Sequence, residues 1–315
     1  MKKILVTGGA GYIGSACVKA LIEEGNKVTV FDDFSTGQKD KISAGSEVIE
    51  GSLCNFSDIS EACRLGEFDA VMHFAAKKAV AESEANPSLY FANNVLGSFN
   101  LLRSMEEFKI PQIIFSSTAA VYAPIVESKK ITESSLVAPI SVYGVTKLMV
   151  EDMIKSYVRT GKISQFSILR YFNVAGDSGV NFQENNPQNV FPILANKLKN
   201  DETFEIFGDD YDTKDGTCIR DYVHLEDLID GHLLALHSAD SGIFNLGTGT
   251  GYSVKELVDS FSKNSGKKID VRISPRRAGD SVVVVADAAL ANHELGWYPK
   301  QTLDDMVKDT LRVFG

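Results

Sequence analysis

Residues 141–147 read SVYGVTK and place Tyr143 four positions before Lys147. On a helix, positions i and i+4 share a face, so the phenol and the ammonium meet. A free phenol titrates near ~10 and is almost wholly protonated at neutral pH. A cation a few ångströms away favours the phenolate and lowers that pKa, which makes the pair a candidate general base. An isolated Y-x-x-x-K also describes an aromatic and a lysine that merely share a surface face, so the rest of the chain has to decide.

A second group of residues sits near the N-terminus, where TGGAGYIG follows the apolar run KILVTG and opens a helical pattern. Gly8, Gly11 and Gly14 form G-x-x-G-x-x-G. In a dinucleotide fingerprint the first glycine permits a tight turn, the second lets the backbone approach a pyrophosphate, and the third allows close helix–strand packing. The helix N-terminus then offers unpaired N–H groups and a positive dipole end to the phosphates. A glycine-rich turn with no ligand is the competing reading. The context favours the ligand: the next strand ends VTVFDD and places Asp32 eighteen residues after Gly14, near the ~20 expected for an acid on the adenosine ribose. A carboxylate there accepts from a 2′-hydroxyl and repels a 2′-phosphate, so NAD is favoured over NADP.

The elements that must position these groups are legible as a rhythm. KILVTG, KVTVFD, EVIEG, AVMHFA, QIIFSS and FSILRYF read as six strands, with amphipathic helical segments such as ACVKALIEEG and NNVLGSFNLLRSMEEFK between them. Strands alternating with helices predict a parallel sheet covered on both faces, and unalternating apolar runs fit strands buried on both sides. The expected fold is α/β: a Rossmann-type doubly wound parallel sheet over residues 1–173, then a smaller α/β substrate-binding domain over 174–315. The boundary falls at the polar loop GDSGVNFQENNPQN, and part of 218–246 is expected to pack back on the first domain.

Composition narrows the class of function. The 315 residues are 44% hydrophobic and 23% charged, ordinary for a globular protein. A net charge of −10 argues against nucleic-acid binding, which calls for a basic face. Any anionic ligand must be held by a few arginines, lysines or helix N-termini. Cys17, Cys54, Cys63 and Cys218 are scattered, giving neither a zinc spacing nor a disulfide framework, so no metal is expected and a reducing compartment is. The basic-then-apolar start MKKILVTGG is too short for a signal peptide, and no apolar run approaches the ~18 residues that span a bilayer. The expectation is a cytoplasmic protein with no membrane partner.

A dinucleotide site followed by Y-x-x-x-K on a later helix resembles the extended short-chain dehydrogenase/reductase superfamily. FSSTAAVY then supplies the expected hydroxyl partner of the tyrosine, Thr118, after Ser116 and Ser117. HFAAKKAVAES, YFANNVLGS, LRYFNVAG, DGTCIRDYVHLEDL and PRRAGD each resemble segments of the UDP-glucose (UDP-galactose) 4-epimerase family, and together they cover nearly the whole chain.

The resemblance implies the following roles. Tyr143, Lys147 and Thr118 are catalytic and also touch cofactor. Tyr12 and Ile13 lie against the pyrophosphate, and Asp32, Asp33, Phe34, Ser35, Thr36 and Gly37 surround the adenosine ribose. Ser52 and Leu53 border the adenine, while Phe74, Ala75, Ala76, Lys77, Lys78 and Asn94 line the NAD groove and Phe172 packs near the nicotinamide. For the substrate, Asn173, Asn189, Val190, Glu205, Ile206 and Phe207 face the nucleotide sugar. Arg220 and Arg277 take its phosphates, and Asp280 accepts from the uridine ribose. Val284, four residues after Asp280, stands where the family gates the far end of the hexose pocket.

Three positions depart from the family pattern. Ser52 replaces an acid, Thr118 replaces a common serine but keeps the hydroxyl, and Val284 is far smaller than the aromatic carried by members selective for plain hexoses. Each implied residue also has a plain structural alternative. Asn173 can cap a turn, Asn94 can be satisfied by backbone, Arg220 can pair with Asp221 or Glu226, and Val284 can be a strand residue chosen for packing. His73 and His224 read as packed histidines.

The implied activity is an isomerase of galactose and carbohydrate metabolism: redox-neutral inversion of C4 of a UDP-hexose through a transient 4-keto sugar, with the N-acetylhexosamine pair as a further substrate. A UDP-hexuronate 4-epimerase remains an alternative. A 4,6-dehydratase wants an acid where Ala119 follows Thr118, and a non-catalytic NAD sensor would lack the Tyr–Lys pair. The family resemblance also implies a homodimer formed through helices around 90–108 and 145–160.

Overall fold

The computed structural model describes residues 1–124, 130–184, 187–277 and 279–314. The chain divides into two units, Met1–Ala123 with Val137–Arg170 and Ile229–Phe244, and Pro124–Leu136 with Tyr171–Leu228 and Asn245–Gly315.

The six apolar runs form six strands: β1 (Lys3–Thr7), β2 (Lys27–Asp32), β3 (Glu47–Glu50), β4 (Ala70–His73), β5 (Gln112–Thr118) and β6 (Gln165–Tyr171). With the strand Gly242–Leu246 they make a seven-stranded sheet in the order β3-β2-β1-β4-β5-β6-(Gly242–Leu246). The pairings β1–β2, β1–β4, β2–β3 and β4–β5 are all parallel. Ile4, Leu5, Val6, Val71 and Met72 have no exposed surface, the state expected of strands with helices on both faces. One core cluster joins Leu5, Phe31, Val71, Ile113 and Ile168 to Ile59, Leu101, Met105, Val150 and Ile154 from the covering helices.

The order of this sheet reverses between β1 and β4. In open α/β sheets that switch point, beyond the carboxyl ends of the strands, is where ligands bind. Both chain segments leaving it are tightly packed. Gly8 follows β1 with φ +74°, and a Cβ there would stand 2.5 Å from the backbone N of Ala75, just after β4.

Two helices of this unit depend on particular residues. Val142–Arg159 starts at Ser141, whose hydroxyl accepts from Gly144 N at 3.1 Å, which satisfies one of the orphan donors of the first turn. The segment read as one amphipathic helix from NNVLGSF onward is a π-helical turn, Phe91–Leu96, running into an α-helix, Gly97–Glu107. The wider turn re-phases the face, so that Asn94 is 1% exposed; π turns of this kind recur at functional sites.

In the second unit, the strand Ile219–His224 pairs in parallel with Asn173–Ala175 and Val283–Val284 and antiparallel with Gly251–Ser253. Phe204–Phe207 and Val271–Ser274 form a separate parallel pair. The core here gathers Phe191, Leu194, Ile206, Tyr222, Leu257, Phe261, Met306 and Val307. The run SVVVVAD contributes only a two-residue strand, Val283–Val284, with Val284 partly buried.

Candidate active site

The glycine turn is shaped by three different contacts. A Cβ at Gly14 would lie 2.1 Å from the Gly8 carbonyl oxygen, so the helix Tyr12–Glu23 reaches the turn only because Gly14 has no side chain. A Cβ at Gly11 would meet nothing closer than that same oxygen, at 3.4 Å, which leaves the helix N-terminus open to an approaching group. Asp32 ends β2 with its carboxylate fixed: Oδ2 accepts from Ala10 N and Oδ1 from Phe34 N, both at 2.9 Å. Burial raises its pKa, and these two N–H bonds work in the opposite direction. Phe34 is held at φ +54°, and Asp33 accepts from Ser35 N at 2.9 Å, which curls the following loop.

These groups line one open cavity. Its wall includes Gly8, Gly11, Asp32, Asp33, Ser35, Thr36, Gly37, Leu53, Phe74, Ala75, Ala76 and Lys77. It also includes Phe31, Gly51 and Asn93, which sequence reasoning did not single out. Gly51 carries the one retrievable signal: a Cβ there would press within 2.8 Å of the Phe31 ring. Ser52, beside it, donates its N–H to Asp58, and its hydroxyl accepts from Cys54 N. Lys78 is exposed. Asn94 staples the Lys77 peptide from both sides, accepting from its N–H at 2.8 Å and donating to its carbonyl at 3.0 Å. It thereby positions the cavity wall. An open helix N-terminus and a fixed carboxylate lining one cavity together fit a dinucleotide such as NAD.

The Tyr–Lys pair lies at the ends of β4 and β5. Tyr143 and Lys147 share one face of the capped helix Val142–Arg159. Lys147 is 3% exposed, and its ammonium donates to the Ser116 carbonyl at 2.7 Å. Burial pulls its pKa down to about 7, and the charge of Glu151 works against that fall. Thr118 closes β5, its hydroxyl accepting from Ala120 N at 3.1 Å. A Cβ on Gly144 would sit 2.4 Å from the Ala120 carbonyl, so the glycine beside Tyr143 lets the helix press onto the turn after Thr118. His73 is a packed residue, as its sequence context indicated. Its Nδ1 is 2.7 Å from the Thr7 hydroxyl and its Nε2 2.8 Å from the Ser98 hydroxyl, and burial lowers its pKa to about 3.

The second unit gathers the other group of sequence candidates. Arg220 pairs with Asp280, and not with Asp221 or Glu226. The Arg277 guanidinium lies 3.9 Å from the centroid of the Phe207 ring. Asn173 donates to the Asp221 carbonyl at 3.0 Å, and Asn189 caps the helix Val190–Lys199. Along the strand Phe204–Phe207, Ile206 turns into the core while Glu205 accepts from Ser274 and Arg272. Phe172 is 6% exposed, and Val284 lies in register with Arg220 on the neighbouring strand. His224 is structural: its Nδ1 accepts from Glu226 N and its Nε2 meets Asp309.

Comparison with known proteins bears on the whole chain. The UDP-glucose 4-epimerase of Lactobacillus helveticus is 43% identical over 97% of this chain and 94% of its own. The UDP-glucose 4-epimerase of Brucella ovis, solved in complex with NAD, superposes with a TM-score of 0.95 at 35% identity, covering 100% of this chain and 99% of that one. The UDP-Glc/GlcNAc 4-epimerase of Campylobacter jejuni gives a TM-score of 0.88 at 36% identity, covering 99% of each. A family model described as the NAD dependent epimerase/dehydratase family matches residues 4–247, a span that holds the glycine turn, Asp32, Thr118, Tyr143 and Lys147. By that match and by near-full-length identity above 40%, the chain belongs to the NAD dependent epimerase/dehydratase family.

Proposed function

We propose that this protein is an NAD-dependent isomerase that inverts C4 of a UDP-hexose, interconverting UDP-galactose and UDP-glucose through a transient 4-keto sugar. The observation that carries this reading is Lys147: a buried ammonium tied to the Ser116 carbonyl at 2.7 Å and presented one helical turn from Tyr143, in a chain whose near-full-length relatives are UDP-glucose 4-epimerases. NAD, when bound, supplies a reversible hydride acceptor for C4. Gly8, Gly11, Tyr12, Ile13 and Gly14 hold its pyrophosphate, Asp32 its adenosine ribose, and the segment from Phe74 to Lys78 its groove.

The chain's own residues handle the proton. Lys147 is tied to the Ser116 carbonyl one helical turn from Tyr143, so its charge acts on the Tyr143 phenol and favours the phenolate. Tyr143 takes the proton from the sugar 4-hydroxyl and returns it after the keto sugar has presented its other face, while the Thr118 hydroxyl orients the same oxygen. Arg220 and Arg277 hold the diphosphate, because a guanidinium fork suits phosphate oxygens. Asp280 holds the uridine ribose, and Phe207 offers a ring face to the base.

The small side chain of Val284 leaves space for an N-acetyl group, which supports a second substrate pair, UDP-N-acetylglucosamine and UDP-N-acetylgalactosamine. The protein acts as a homodimer: Leu96, Phe99 and Met149 are exposed apolar residues on the two helical segments expected to pair. It works in the cytoplasm; among the described residues no helix is long and apolar enough to cross a membrane, and its four cysteines are free.

One experiment tests the core of this. Purified protein incubated with UDP-galactose and no added cofactor is expected to form UDP-glucose, and to release NAD(H) on denaturation. A strict requirement for added NADP would refute it.

A further inference from the structure

We propose that Glu151 and Arg170 form a positioning clamp that holds the Thr118 turn in register with the helix bearing Tyr143 and Lys147. The inference rests on the assignment of those three residues as the reacting groups. Its evidence is a closed circuit of buried contacts.

Tyr143, Lys147 and Glu151 follow one another at intervals of four and so share a helix face. The end of β5 answers two turns of that face. Ser116 accepts from Lys147 at 2.7 Å, and the Ser117 hydroxyl donates to Glu151 Oε1 at 2.6 Å. Glu151 is gripped from the other side by Arg170 of β6, whose Nε donates to Oε1 at 2.9 Å and Nη2 to Oε2 at 2.5 Å. The remaining arm of the same guanidinium, Nη1, donates to the Tyr122 hydroxyl at 3.1 Å. Ser117 and Tyr122 flank the short turn that begins at Thr118 and passes through Ala119–Val121. One ion pair therefore anchors the Thr118 turn at both of its ends, while Gly144 lets the helix press on its middle.

Stability does not explain this pair. Its side chains are 3% and 0% exposed, and replacing a buried ion pair with well-packed apolar groups is often neutral or stabilising. Geometry does explain it, because displacing reacting groups by ~1 Å can cost about 10²-fold in rate. The pair also sets the field at Lys147. The charged or titratable groups around that ammonium are Glu151 and Tyr143 on its own helix, His73 on β4 and Arg170 on β6. His73 is held neutral, and Glu151 counters the burial that lowers the Lys147 pKa.

Two variants test the clamp. Ser117→Ala removes one hydroxyl and leaves the ion pair intact. It is expected to lower kcat on UDP-galactose by about tenfold, with KM and bound NAD unchanged and Tm lowered by the loss of one buried hydrogen bond. Glu151→Leu/Arg170→Met replaces the whole pair with apolar side chains. It is expected to keep a Tm near wild type while losing about 10²-fold in kcat. A readout that needs no sugar separates the clamp from the assigned reaction. The phenolate absorbance of the NAD-loaded protein, less that of Tyr143→Phe, reports the titration of Tyr143. Ser117→Ala is expected to move that titration upward by about one pH unit. Wild-type kcat and an unmoved phenolate titration in Ser117→Ala overturn the clamp, as does a fall in kcat matched by an equal loss of bound NAD. A shifted titration in a protein that turns over no UDP-sugar supports the clamp and refutes the reaction.

Discussion

The unit that carries the glycine turn fixes its charged and hydroxyl candidates with backbone, whereas the arginines of the unit that carries Arg220 meet other side chains. In the first, Asp32 is fixed by the N–H groups of Ala10 and Phe34, Lys147 by the carbonyl of Ser116, and Thr118 by the N–H of Ala120. In the second, Arg220 rests on Asp280, Arg276 on Asp210 and Arg277 on the Phe207 ring. Burial moves Asp32, His73 and Lys147 toward their neutral forms, while the Arg220–Asp280 pair retains solvent contact, at 16% and 28% exposure. On the proposed function, an arriving phosphate competes with Asp280 for Arg220. A fixed, dry constellation suits chemistry, and an exchangeable, wetter one suits capture and release.

This contrast predicts where mutational effects fall. Tyr143→Phe removes one hydroxyl from the fixed constellation and is expected to lower kcat by about 10²–10⁴-fold. Bound NAD and KM should stay near wild type, and a Tyr143→Phe enzyme with normal kcat would show that the proton is handled elsewhere. Arg277→Ala acts on the exchangeable set. It is expected to raise KM for UDP-sugars by about 10- to 100-fold, the loss of one charge-assisted contact. Steady-state kinetics beside an NAD assay check this, and a parallel loss of NAD would reveal a folding defect and erase the contrast.

Smaller effects sharpen the comparison. Val284→Tyr is expected to suppress turnover of UDP-N-acetylgalactosamine by about tenfold or more relative to UDP-galactose, since a crowded pocket excludes the larger group. Competition between the two sugars measures the ratio, and a wild type that ignores UDP-N-acetylglucosamine while converting UDP-glucose sinks the idea. A further effect, on stability and not on turnover, is one of pH. Native His73 stays neutral down to about 3, whereas an unfolded histidine protonates near 6.5. Between those values the unfolded chain binds the extra proton, so stability is lost as pH falls through that window, by at most about 1.4 kcal/mol per unit from this group. Urea midpoints for His73→Gln should therefore fall less steeply with acid than those of the wild type.

The parts of this molecule that could be read from the chain are those fixed by short spacings. Six strands, the glycine turn with Asp32 and the Tyr143–Lys147 pair each depend on residues within one element or one strand–turn–helix unit, where period and turn chemistry determine geometry. The π turn that buries Asn94, the pairing of Arg220 with Asp280 sixty positions away and the circuit through Ser117, Glu151, Arg170 and Tyr122 were not legible in this way. Their partners come from separate elements, so they depend on strand register and on which helix face meets which strand. The descent of Lys147 to a pKa near 7 belongs with them. A Y-x-x-x-K spacing brings a phenol and an ammonium together, but desolvation is a property of everything packed around that ammonium, and folding supplies it.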